Sequence, residues 1–114
     1  HEGPQSLGNR EVKLQPGMVL TIEPGVYTEG SHGVRIENTA VVAKGEKTEY
    51  GQFLHFETFT VVPIDTTPLN LDMMSQEEID WLNDFNRRAY ETVAPHVSER
   101  AEKWLKKATA PISK

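Results

Sequence analysis

Residues 17–42 read GMVLTIEPGVYTEGSHGVRIENTAVV. Two β-branched runs, Met18–Glu23 and Val34–Val42, flank a glycine-containing connection, and each carries one glutamate. Strand side chains alternate between two faces. Leu20 and Ile22 therefore share one face, and Val19, Thr21 and Glu23 the other. In the second run Val34, Ile36, Asn38, Ala40 and Val42 lie together, opposite Arg35, Glu37, Thr39 and Val41. If the runs pair as a hairpin, Glu23 and Glu37 point the same way. Two carboxylates held close on a sheet repel unless a cation lies between them. Oxygen ligands of this kind suit a hard divalent cation such as manganese or magnesium. The plainer reading is two exposed strand glutamates, or one of them paired with Arg35.

Outward from this stretch, Gly3, Pro4, Gly8 and Asn9 mark an irregular start, because these residues favour turns. Arg10–Leu14 reads as a short edge strand and Gln15–Gly17 as a tight turn. Pro24 ends the first strand, since proline donates no ladder hydrogen bond, and Val26–Tyr27 continues it after a bend. Thr28–Gly33 reads as the hairpin connection, Val34–Ala43 as the second strand and Lys44–Gly51 as a polar loop. Gln52–Val62, rich in aromatic and β-branched residues, reads as a third strand covered on both faces. Ile64–Met74 is a connector. The apolar period then changes from two to about 3.6. Ser75 with Glu78 fits a capping box, and Ile79, Leu82, Phe85 or Asn86, Ala89 and Val93 trace one face of a helix over Gln76–Val93. Beyond Pro95, the stripe Val97, Ala101, Trp104, Leu105, Ala108 predicts a second helix that ends before Pro111. The fold class is α+β, a small antiparallel sheet followed by C-terminal helices.

The chain has 114 residues and a formal net charge of −5, which sets it apart from nucleic-acid binders, and no basic run stands out. It has no cysteine, so disulfide and thiolate chemistry are excluded. No apolar run approaches the roughly 20 residues of a membrane span. The first residue is His1 rather than methionine, and the chain is expected to be a piece of a longer polypeptide.

Several blocks carry a resemblance: HEGP at 1–4, PGMVLTIEPGVY at 16–27, GVRIENTAVV at 33–42, QFLHFETFTVVPID at 52–65, EEIDWLN at 77–83 and WLKKATAPISK at 104–114. Together they resemble the C-terminal part of the catalytic domain of the Xaa-Pro aminopeptidases (aminopeptidase P), of the larger cytosolic type. These belong to the pita-bread metallopeptidases, with the prolidases and methionine aminopeptidases. The resemblance implies that residues 1–65 supply the sheet part of such a domain and residues 75–110 a helical extension. It implies a site of two divalent metal ions, manganese being the expected identity, held by two aspartates, a histidine and two glutamates. Glu23 matches the glutamate that binds one metal and Glu37 the glutamate that bridges both. The other three ligands would precede His1, so the fragment alone is expected to be inactive. His1 matches a histidine that hydrogen-bonds substrate and the developing tetrahedral intermediate rather than a metal. Arg35 matches a residue that orients the site carboxylates.

The implied partners are peptides with proline in the second position, the remainder of the same polypeptide and a second copy of the chain. Neither nucleic acid nor membrane is expected, and the location is cytoplasmic. The removal of half a sheet predicts self-association of the fragment. Two rivals share the fold: a binding module with a degenerate, metal-free site, and a metal-free hydrolase of the creatinase kind. Of the remaining residues with chemistry, His32 reads as a solvent-facing loop residue and His55 as a satisfied core or interface histidine. Glu57 reads as a structural acceptor. Trp81 and Trp104 read as packing residues, Trp81 lying off the main stripe and so open to a contact with another domain or subunit.

Overall fold

At Gly17 the backbone takes φ +89°, a conformation open to glycine, and turns the chain into β1 (Val19–Ile22). The computed structural model describes residues 11–114, in two compact units that divide between Phe59 and Thr60.

The first unit is built of strands. β1 pairs antiparallel with β4 (Asn38–Thr48), in the register Val19↔Val41 to Ile22↔Asn38. β4 pairs antiparallel on its other edge with β5 (Gly51–Thr58), giving the sheet order β1-β4-β5. A separate two-stranded ladder joins β2 (Gly25–Thr28) to β3 (His32–Arg35). On the central strand Ala40 and Val42 are only 1% exposed.

Four expectations change here. Arg10–Leu14 was read as an edge strand, but Glu11–Leu14 forms none, and Arg10 lies outside the described residues. The apolar run Val34–Ala43 is not one strand: Ile36 and Glu37 lie between β3 and β4. Opposite Ile36 stands Pro24, which has no N–H to give the ladder. Lys44–Gly51 is not a loop. β4 runs on through Lys44–Thr48 and absorbs the polar residues with a register shift between Lys44 and Lys47. The irregularity is held by Gln52, whose Nε2 donates to the Gly45 carbonyl at 2.8 Å. The turn shrinks to Glu49–Tyr50, and Gly51 takes φ +128°. The third strand is also less covered than its composition suggested. Phe53, Leu54, Phe56 and Phe59 are all exposed.

The second unit is helical. α1 (Gln76–Val93) starts on the expected capping box: the Glu78 N–H donates to Ser75 Oγ at 3.2 Å and the Ser75 N–H donates to Glu78 Oε2 at 2.7 Å. Such a box satisfies two of the amides that every helix start leaves without a partner. The buried stripe is Ile79, Leu82, Phe85, Asn86 and Ala89. Two asparagines on α1 hold the chain that flanks it. Asn86 accepts the Ile64 N–H at 2.9 Å and donates to the Ile64 carbonyl at 3.2 Å. Asn83 does the same for Ile112, at 2.8 and 2.9 Å. Each amide thus stands in for a strand neighbour.

Pro95 falls in a 3-10 turn, Ala94–His96, and α2 (Glu99–Ala108) begins afresh with Ser98 as its cap. Val97 therefore lies outside the helix. Tyr90 ties the helices together by donating its hydroxyl to Glu102. Trp104, expected on the apolar stripe of the second helix, is instead 65% exposed, whereas Trp81, off the main stripe as read, packs against Phe85 and is 53% exposed. Their neighbours Leu82 and Leu105 occupy the inward positions. No described helix is long and apolar enough to cross a membrane.

Candidate metal centre

The two ladders of the first unit share a register. One step beyond Ile22↔Asn38 sets Glu23 opposite Glu37, and Gly25↔Arg35 resumes the same register beyond the gap. Both glutamates therefore sit at the seam, on the face that also carries Thr21, Thr39 and Arg35.

Thr21 Oγ1 donates to Glu23 Oε2 at 3.3 Å. The Glu37 carboxyl is held above the usual carboxylate range, first by its hydrogen bond with Glu23, then by desolvation and by the Glu23 charge; Arg35 opposes the shift. A carboxylate beside another acts this way because the neighbouring like charge disfavours the ionised form. The donor chemistry fits a hard divalent cation. Two oxygen ligands face one another between the two ladders, and a cation held there would offset their repulsion. Among the described residues no group of three or more histidines, cysteines, aspartates or glutamates converges, so Glu23 and Glu37 supply only part of any such site.

Arg35 is held by its aromatic neighbour. Its Nε donates to Tyr27 Oη at 2.8 Å. This bond, the Tyr27 charge and, more weakly, the charges of Glu23 and Glu37 raise its already high pKa. Tyr27 lies flat over its own hairpin, across Gly25 and Gly33, and a Cβ on either glycine would overlap the ring. Sequence reading missed Tyr27. The available signal was the pair of glycines, one two residues before it and one directly across the ladder.

The remaining residues fall elsewhere. His1 lies outside the described residues. His32 ends the β2–β3 ladder opposite Thr28 and, by strand alternation, belongs to the face away from the carboxylates. It is exposed, with Ser31 Oγ 2.8 Å from its Nδ1. His55 is not a core residue: it is half exposed on β5, with Nε2 3.3 Å from Glu57 Oε1. Glu57, read as a structural acceptor, is exposed on the surface beside His55.

Comparison with known proteins places this geometry. Residues 52–112 match the model of the C-terminal region of peptidase_M24, and residues 1–44 match that of metallopeptidase family M24. The chain is 40% identical to Aminopeptidase P1 of Arabidopsis thaliana over 121 residues, covering 99% of the chain and 19% of that protein. It is 38% identical to the Xaa-Pro aminopeptidase app-1 of Caenorhabditis elegans, covering 98% of the chain and 20% of that protein. Its fold is similar to the crystal structure of X-prolyl aminopeptidase from Caenorhabditis elegans, described as a cytosolic enzyme with a di-nuclear active site. That match has a TM-score of 0.80 and 36% identity, over 98% of this chain and 19% of that one. The chain thus spans about a fifth of the length of the curated relatives it matches. The likeness bears out the α+β class and the C-terminal portion of the pita-bread fold.

Proposed function

The chain belongs to the M24 metallopeptidases, and on that premise we propose that it forms part of a dinuclear-metal aminopeptidase releasing the N-terminal residue that precedes proline. Glu23 and Glu37 would hold the ions. Manganese is the proposed metal. The remaining ligands would come from polypeptide outside these residues, and the 114 residues alone would be inactive.

The observation that carries this reading is the pair of opposed carboxyl groups at the seam of the two ladders, whose proximity holds Glu37 above the usual carboxylate range. A binding module has no use for such a pair. When bound, the ions polarise a carbonyl and lower the pKa of a water. The residues of this chain hold charge and position around that chemistry. Thr21 fixes one Glu23 oxygen. Arg35, itself fixed by Tyr27, supplies a cation beside the carboxylates, and an oriented neighbour of this kind tunes a ligand set. His1 is proposed to hydrogen-bond the substrate carbonyl as it gains charge. The substrates are peptides with proline second, and the proposed location is cytoplasmic, as described for the C. elegans enzyme.

The test uses the longer polypeptide that contains this chain. Glu23→Ala and Glu37→Ala are expected to lose bound metal, measured by elemental analysis, and to lose hydrolysis of a Xaa-Pro peptide. Unchanged activity in either variant, or a wild type with partner binding but neither metal nor hydrolysis, sinks the reading and favours the metal-free module.

A further inference from the structure

The face of the three-stranded sheet that leads to the carboxylates is its open face. On the reverse face Ala40 and Val42 are 1% exposed, whereas on this one Val19 is 66% and Phe59 71% exposed. The register sets its side chains in rows. Glu23 and Glu37 make the first row. Thr39 makes the second, with Thr21 on one side and Phe59 on the other. Phe59 stands one step beyond Ala40↔Thr58, and its N–H donates to the Thr39 carbonyl at 2.7 Å. Val41 makes the third row, between Val19 and Glu57. Cross-strand partners share a face, so Phe59 and Glu57 both stand on the carboxylate side. Rows are two residues apart, which puts Phe59 about 7 Å and Glu57 about 13 Å along the sheet from the row of the carboxylates.

Neither side chain is committed where it stands. The Phe59 ring is open to water. The Glu57 side chain is 62% exposed and meets His55 Nε2 at 3.3 Å, His55 being half exposed itself, and an exposed contact of this kind contributes little. A single exposed phenylalanine is ordinary on a protein surface. Here an aromatic ring and then an acid follow the carboxylates in line, on one strand and one face.

Resting on the aminopeptidase reading, we infer that this strip of β5 beds the part of the substrate that follows the scissile bond. Phe59 takes an apolar third residue and Glu57 a cationic fifth residue. The substrate class is then peptides of five or more residues, with proline second and lysine or arginine fifth. Length decides the direction. One residue precedes the bond that an aminopeptidase cuts, and about 3.3 Å of backbone falls short of the Phe59 row. With the first carbonyl at the carboxylates, an extended chain brings its third residue about 7 Å and its fifth about 13 Å along the sheet. Those two side chains point the same way, because alternate residues of an extended chain share a face. The ring offers an apolar side chain a surface away from water, and the carboxylate is the complement of a cation.

The test uses the metal-loaded longer polypeptide that contains this chain, with Ala-Pro-Leu-Ala-Lys as the reference peptide. In wild type, a fifth glutamate in place of lysine is expected to lower kcat/KM about fivefold, and a third glycine in place of leucine about tenfold. Glu57→Lys is expected to invert the first ratio and leave the second. Phe59→Ala is expected to bring the second close to one and leave the first. A merely structural role would lower all the peptides alike and leave both ratios unmoved. Raising salt from about 0.05 M to about 0.5 M is expected to shrink the first ratio alone. The Kd of the metal-stripped polypeptide for the same peptides, by calorimetry, is expected to follow both ratios. Wild-type ratios of one overturn the inference without recourse to any variant. So do variants that keep the wild-type ratios, which would assign the strip to cover by the rest of the polypeptide. A wild type that cleaves no peptide, not even the dipeptide Ala-Pro, sinks the aminopeptidase reading and this inference with it.

Discussion

Asn86 offers the sharpest test of how the helical unit is held. It is 2% exposed, and both ends of its amide are spent on the backbone of Ile64. Asn86→Ala removes two hydrogen bonds, each worth about 1 kcal/mol net, and leaves the space of the lost amide. The expected cost is about 2–4 kcal/mol, read as a lower urea midpoint with an unchanged slope. Asn86→Asp gives the stricter check. Its charged form keeps the acceptor for the Ile64 N–H but sets a carboxylate against the Ile64 carbonyl in a buried place. The neutral form restores the amide's pattern, one oxygen accepting and one hydroxyl donating. Burial and the facing carbonyl favour that neutral form, so the folded-state pKa is raised above the unfolded value of about 4. A raised folded pKa means stability that is fully present below the unfolded value and lost as pH rises through the folded one. The gap between Asn86→Asp and wild type is therefore expected to narrow on acidification, while that of Asn86→Ala stays flat. A loss under about 1 kcal/mol for Asn86→Ala, or an Asn86→Asp gap that ignores pH, would refute the account.

Two further outcomes follow from the same unit. Ser75→Ala strips the N-cap of α1 and leaves Glu78 without its reciprocal partner, so a loss of about 1 kcal/mol is expected by urea denaturation. The Tyr90 phenol is held above its ordinary value, first by its hydrogen bond to Glu102, then by desolvation and the Glu102 charge. This contribution is fully present below the unfolded phenol value of about 10 and is lost as pH rises through the folded one. Alkaline melting curves are expected to show that loss in wild type and not in Tyr90→Phe.

Where a local signal decided the structure, the sequence was enough. α1 runs from Gln76 to Val93 as expected, because the Ser75–Glu78 box opens it and the Ala94–Pro95 turn closes it. The strand alternation of Glu23 and Glu37 placed them on one face, and the register of β1 with β4 agrees. What escaped depended on neighbours. Lys44–Thr48 is polar and reads as loop, but β5 beside it pairs with Lys44, Lys47 and Thr48, and the register shift between them absorbs the misfit. The break at Ile36–Glu37 is invisible in an unbroken apolar alternation, since its cause lies across the ladder at Pro24. Asn86 was read only as an alternative to Phe85 on the apolar stripe, because its partner stands at Ile64. Tyr27 was passed over since the space it fills belongs to two glycines on different strands.

The gap between the two ladders bears on how this architecture can change over generations. The inner ladder, β1 with β4, fixes where the carboxylates stand. The outer arm begins only after them and ends in a tip of three residues, Glu29–Ser31. Length variation at that tip leaves the inner pairing in phase, whereas one residue gained or lost in Val19–Ile22 would throw Glu23 to the reverse side. Natural insertions and deletions should therefore gather at the tip, giving descendants a tunable finger mounted on an anchored base.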